Sequence, residues 1–116
     1  MTDSNHSPSL PQEQIDKVIA LYSSQKYHEA LNQIKVLNKT YQNVPFLFNL
    51  AGACYKSLGQ LEMSVKMFKA AIKIKSNYAE AYKNLGLTLK EIGKIEDSIE
   101  CFNKAISIDP KYVVAI

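Results

Sequence analysis

The chain repeats itself at a shift of 34 residues, and this periodicity constrains its fold more than any other property of the sequence. Residues 79–112, AEAYKNLGLTLKEIGKIEDSIECFNKAISIDPKY, laid over residues 45–78 place Phe48 on Tyr82, Gly52 on Gly86, Tyr55 on Leu89 and Gly59 on Gly93. Further along, Ser64 falls on Ser98, Phe68 on Phe102, Ala71 on Ala105 and Ile74 on Ile108. Ten of the 34 pairs are identical, and most of the others keep size or polarity, so each copy offers its neighbours the same small, large and polar surfaces. A unit this short cannot bury its apolar face alone. Stacked copies bury a continuous core through nearest-neighbour contacts, which is the logic of a solenoid.

Within each unit the pattern is helical. Ile15, Val18, Ile19 and Tyr22 recur at i, i+3, i+4 and i+7, one face of a helix. No window alternates apolar and polar residues strictly enough for a strand. The spacing predicts six helices in three hairpins. The first begins near Leu10, where Ser9, Pro11 and Gln12 read as an S-x-x-Q capping box with proline in the first turn. The second spans about Tyr27 to Lys39, with Ala30, Leu31, Ile34 and Leu37 inward. The third spans Pro45 to Leu58, the fourth Leu61 to Ile74, the fifth Ala79 to Ile92 and the sixth Ile95 to Ile108. Gly59 and Gly93 close the third and fifth, because glycine enters the left-handed conformation without a Cβ penalty.

The units are therefore residues 11–44, 45–78 and 79–112. Residues 113–116 begin a fourth, since a shift of 34 carries Ala81 and Tyr82 onto Ala115 and Ile116. Solenoids normally end in a polar cap. An apolar last turn leads to the expectation of a longer protein, of another molecule covering this edge, or of a C-terminal segment folded back on the stack. Residues 1–9, rich in Ser, Asn, Asp and Pro and without periodicity, read as a flexible tail in which His6 is solvated.

Composition narrows the function. At 116 residues and 47% apolar the chain is one folded domain. No apolar run approaches the roughly 20 residues that cross a bilayer, and MTDSNHSPSL lacks the basic and apolar regions of a leader, so a cytoplasmic protein without membrane insertion is expected. Cys54 and Cys101 show no metal or disulfide spacing and read as small apolar core residues, so no metal and no cofactor is expected. The net charge is +3, and all fourteen basic residues are Lys; without the bidentate fork of Arg, sequence-specific nucleic-acid recognition is not expected. Charge is uneven: 45–78 has five Lys against one Glu, and 79–112 five Lys against six acidic residues.

No catalytic constellation is present in the sequence. There is no G-x-S-x-G, no glycine-rich phosphate loop and no H-E-x-x-H. Glu96, Asp97 and Glu100 open the sixth helix, where carboxylates favour the helix dipole. His28 sits at the start of the second helix without a nucleophile partner.

At Tyr82-x-x-Leu85-Gly86-x-x-Leu89, Ser98-x-x-x-Phe102, Ala105 and Pro110 the sequence resembles the tetratricopeptide repeat, a helix-turn-helix unit with large and small residues at those spacings. The third copy matches best and the second well. In the first, Lys17 and Val18 replace Leu-Gly, and Gln25 replaces the turn glycine. The resemblance implies an all-α, right-handed solenoid of three hairpins plus the start of a fourth. In such a stack Gly52 and Gly86 let paired helices approach, Ala30, Ser64 and Ser98 keep the facing positions small, and Tyr82 and Phe102 fill the volume between repeats.

It also implies a concave groove lined by the first helix of each pair. The positions carried over are Gln12, Ile15, Ile19 and Tyr22; Phe46, Asn49, Ala53 and Lys56; and Glu80, Lys83, Leu87 and Lys90. Of these, Tyr22, Asn49, Lys56, Lys83, Leu87 and Lys90 are the candidate partner contacts. The Lys–Asn clamp by which some members grip chaperone C-termini is not expected, because Leu50, Ala53 and Leu87 stand where Asn would be needed. Lys66, Lys69 and Lys73 form an outward stripe read as a solvated face, with a weak, salt-sensitive site for an acidic partner or anionic surface as the alternative. The function implied is non-enzymatic: binding of a peptide or protein segment in the groove. A second reading makes the chain the N-terminal recruiting or assembly region of a larger glycosyl- or sulfotransferase-like enzyme, and a third has it self-associate through the apolar C-terminal edge.

Overall fold

The fold follows from one hairpin repeated three times. In a computed structural model, which describes residues 8–115 and the side chains of 8–112, the helices are α1 (Gln12–Ser23), α2 (Tyr27–Thr40), α3 (Pro45–Ser57), α4 (Leu61–Ile74), α5 (Ala79–Ile92) and α6 (Ile95–Ile108). A 3-10 helix, Pro110–Ala115, follows. Among the described residues there is no strand. α1 packs on α2, α3 on α4 and α5 on α6, while α2 against α3 and α4 against α5 join successive hairpins into a solenoid of 47 × 34 × 22 Å. The expected tail is represented only by exposed, non-helical Pro8 and Ser9; His6 and Ile116 lie outside the described residues. Residues 113–115 of the expected fourth unit belong to the 3-10 helix, which begins at Pro110 rather than at the unit boundary.

The start of α1 differs from the expected capping box. Pro11, extended at φ −65° and ψ 146°, is the N-cap, and no side chain caps the helix. Ser9 stands two residues too early to reach the first turn, and the Gln12 amide donates instead to Asp16 Oδ1 at 2.9 Å. The turns inside the hairpins are faithful to the period: Gln25, Gly59 and Gly93, each 34 residues from the next, all have positive φ, at 62°, 78° and 100°. Gln25 thus adopts a conformation that favours glycine.

Packing explains how the first unit tolerates its divergence. Phe68, fully buried, lays its ring edge on Gly52; a Cβ built there would lie 2.6 Å from Phe68 Cε1. Gly86 receives Phe102 in the same way, at 2.8 Å. The large ring of Phe102 is therefore accommodated within its own hairpin rather than only between hairpins. One period earlier the corresponding pair is Val18 and Ile34, 0% and 3% exposed. A medium pair replaces a large–small one, a volume-conserving exchange of the kind cores accept. Around these pairs the core forms two clusters: Val18, Ile34, Leu37, Leu47, Leu50 and Ala51 towards the N-terminus, and Phe68, Leu85 and Leu89 towards the C-terminus. The small residues Ala30, Ser64 and Ser98 are buried at the positions their spacing suggested.

Candidate functional site

The face that α1, α3 and α5 share holds two adjoining cavities. The first, about 260 Å³, is bounded by Tyr22, Phe46, Asn49, Ala53, Lys83 and Asn84, among others. The second, about 180 Å³, runs on from Tyr22, Ala53 and Asn84 to Lys56 and Leu87. Five of the six candidate contacts, Tyr22, Asn49, Lys56, Lys83 and Leu87, are thereby brought together. Lys90 lies outside both cavities, exposed in the last turn of α5.

A thread of polar groups crosses the floor. Asn84 Nδ2 donates to Asn49 Oδ1 at 3.1 Å, tying α5 to α3. The Asn49 side chain also stands beside the Tyr78 hydroxyl, a polar contact that favours the ionised phenol. Burial, reinforced by the charge of Glu80, still raises the Tyr78 pKa above its ordinary value, so the phenol stays protonated. From the core side, the Thr88 hydroxyl donates to the Asn84 carbonyl at 3.0 Å. That uses its single proton, so in the 3.4 Å contact between the fully buried Ser64 and Thr88 hydroxyls, Ser64 is the donor. Asn49, only 7% exposed, is thus anchored to α5 through Asn84.

The basic character of the floor is partly consumed internally. Lys56 Nζ pairs with Glu91 Oε1 at 2.9 Å, and Lys83 Nζ stands 5.8 Å above the Tyr112 ring. Tyr112 is one period beyond Tyr78, and Lys83 one period beyond Asn49, so the same contact recurs with a different chemistry. Tyr22 meets Tyr27 edge to face with centroids 5.6 Å apart, which fixes its ring at the groove wall.

Asn84 and Tyr78 were not among the sequence candidates. Asn84 bonds a residue 35 positions away, one more than the period, so a copy-by-copy transfer passes over it. Tyr78 closes its own unit, between the helices expected to end at Ile74 and to start at Ala79, where no groove position falls. Among the described residues no group of three or more His, Cys, Asp or Glu could hold a metal ion. Cys54 is buried, and burial pushes its thiol up to about 11, away from nucleophilic use. His28 is exposed.

Family models match the chain twice: "TPR repeat" over residues 52–93 and "Tetratricopeptide repeat" over residues 79–112. The chain belongs to the tetratricopeptide repeat family. No curated protein sequence matches it. Among solved structures, this tetratricopeptide repeat chain is similar to the Sgt2 TPR domain from Aspergillus fumigatus, with a TM-score of 0.84 at 17% identity over 93% of this chain and 73% of that one. The first TPR of Spaghetti (RPAP3), bound to the HSP90 peptide SRMEEVD, gives 0.80 at 17% identity over 85% and 79%. MamA gives 0.79 at 20% identity over 85% of this chain, which spans 58% of the length of MamA. At these identities the likeness concerns the fold. No helix among the described residues is long and apolar enough to cross a membrane. The repeats and their structural relatives support a protein-interaction module.

Proposed function

We propose that this tetratricopeptide repeat protein is a non-enzymatic binding module that holds an extended peptide or protein segment in the groove of α1, α3 and α5. The observation that carries this reading is the Asn84–Asn49 amide pair between the two cavities. An extended segment brings unpaired backbone N–H and C=O groups that need partners when they leave water. Fixed side-chain amides supply both donor and acceptor. Tyr22, Phe46 and Leu87 offer apolar surface beside them, and Lys83 a cation at the rim. Helices already locked by the core lose little entropy on binding, so ordering of the ligand is the main cost. Spaghetti is similar in fold and its first TPR binds a peptide, which agrees with this use of the surface.

The test is selection of ligands from a displayed library of unstructured peptides, followed by titration of Leu87→Arg and Lys83→Glu. Each substitution should weaken the selected peptides by roughly tenfold or more, about 1.4 kcal/mol, with helicity unchanged. Binding that survives both would place the ligand elsewhere and overturn the reading.

A further inference from the structure

A cavity of about 500 Å³, larger than either groove cavity, lies on the opposite side of α5 from the groove. Its floor is the back of α5, with Leu85, Leu89 and Ile92, joined by Val65 of α4. Its walls are α4 and α6, and they carry opposite charge: Lys66 and Lys69 stand on α4, Asp97 and Glu100 on α6. Each wall begins with the opposite sign, Glu62 on α4 and Lys94 just before α6. Along each wall the sign changes once, between the first charge and the two like charges that follow it at helical-turn spacing. Among the described residues no ion pair spans the opening, so these six charges remain available to a ligand.

What fits this crevice differs from what fits the groove. No side-chain amide lines the crevice and its charged groups stand on the walls, so an extended segment seated on the apolar floor of Leu85, Leu89 and Ile92 would meet no backbone partners there. A helix satisfies its own backbone and asks only for an apolar slot and complementary flanks. We propose that the crevice between α4 and α6 is a second docking site, for an amphipathic α-helix of a partner protein. That helix places an apolar ridge on Leu85, Leu89 and Ile92, carboxylates against Lys66 and Lys69, and amines against Asp97 and Glu100. Because one wall is mainly basic and the other mainly acidic, the charge pattern also sets the direction in which the helix lies. This site is independent of the groove reading.

The experiment uses three helix-locked synthetic peptides that share one leucine ridge at i, i+3, i+4 and i+7. One has Glu along one flank and Lys along the other, one has Glu on both flanks and one has Lys on both. Titrated into the labelled chain at low salt, the Glu/Lys peptide should bind roughly tenfold tighter than either control, as two charge pairs of modest strength require, and should move the amide signals of Val65, Leu89 and Cys101. The margin should shrink as salt rises. Lys66→Glu with Lys69→Glu, at two exposed positions, should make the Lys/Lys peptide the tightest binder, whereas Leu87→Arg should change nothing. A nitroxide at the peptide N-terminus should broaden one end of the crevice, and exchanging the two flanks should move the broadening to the other end. Equal binding of the three peptides, no binding of any, signal changes at Asn49 and Lys83 instead, or equal binding of a proline-broken extended version would each overturn the proposal.

Discussion

Lys56 Nζ lies 2.9 Å from Glu91 Oε1, joining α3 to α5 across the groove. The pair is half exposed, so its contribution is small, about 0.2–1 kcal/mol. Its larger effect is on charge: one of the lysines that made the floor basic is neutralised from within. Lys56→Glu should bring two carboxylates together and lower stability by about 0.5–1 kcal/mol, and adding Glu91→Lys should restore it. Urea unfolding of the two single variants and the double variant measures this directly; a double variant no better than the sum of the singles removes the pair from the account.

Gly52 is a packing residue. Its missing Cβ is the space that Phe68 occupies, with 2.6 Å to the edge of a fully buried ring. Gly52→Ala should destabilise by about 1–3 kcal/mol, despite the better helix propensity of alanine. Gly52→Ala combined with Phe68→Leu should recover part of that loss. Thermal melts of wild type and Gly52→Ala that coincide would contradict the contact.

Gln25 sits where the other two hairpins have glycine, at φ 62°, and its side chain is exposed. Gln25→Gly removes the left-handed strain, worth roughly 1–2 kcal/mol, and adds back some unfolded-chain entropy, roughly 0.4–1 kcal/mol. The net expectation is a gain of about 0.5–1 kcal/mol in chemical unfolding. A loss on this substitution would mean that the glutamine does something in the turn beyond adopting its conformation.

Cys54 provides a pH dependence with a defined sign. Burial raises its thiol from 9.0 to about 11 in the folded chain. Between those values the unfolded chain has already released the proton that the folded chain still holds, so stability falls as pH rises through this window. Below pH 9 the contribution is complete and flat. Two units correspond to roughly 2–3 kcal/mol. Comparing the decline of stability between pH 9.0 and about 11 in wild type and in Cys54→Ala isolates the thiol from everything the two chains share. Parallel slopes would rule the thiol out.

Much of the fold is legible because local and global signals coincide. The period fixed the hairpins, and Gly59 and Gly93 marked turns that the backbone makes as expected. Three things escaped. The cap of α1 did, because Ser9-x-x-Gln12 matches a motif by composition while Pro11 takes the N-cap position in the folded chain. The compensation of Val18 by Ile34 escaped too: the sequence shows Val18 in place of the glycine and Ile34 on the inner face, but not that the two, 16 residues apart, share the space that Gly52 and Phe68 divide. Asn84 was missed because its partner lies off the period. Interactions between copies need not respect the repeat, and sequence comparison within the repeat cannot register them.

The hydrogen-bonded run from Ser64 through Thr88 and Asn84 to Asn49 begins where solvent does not reach and ends at the groove. Thr88 takes hold of the Asn84 carbonyl and Asn49 of its side chain, so one residue of α5 is pinned at two separate points. Removing the Thr88 hydroxyl would free the backbone anchor and leave the amide pair made, which separates the rigidity of the helix from the chemistry that the groove presents.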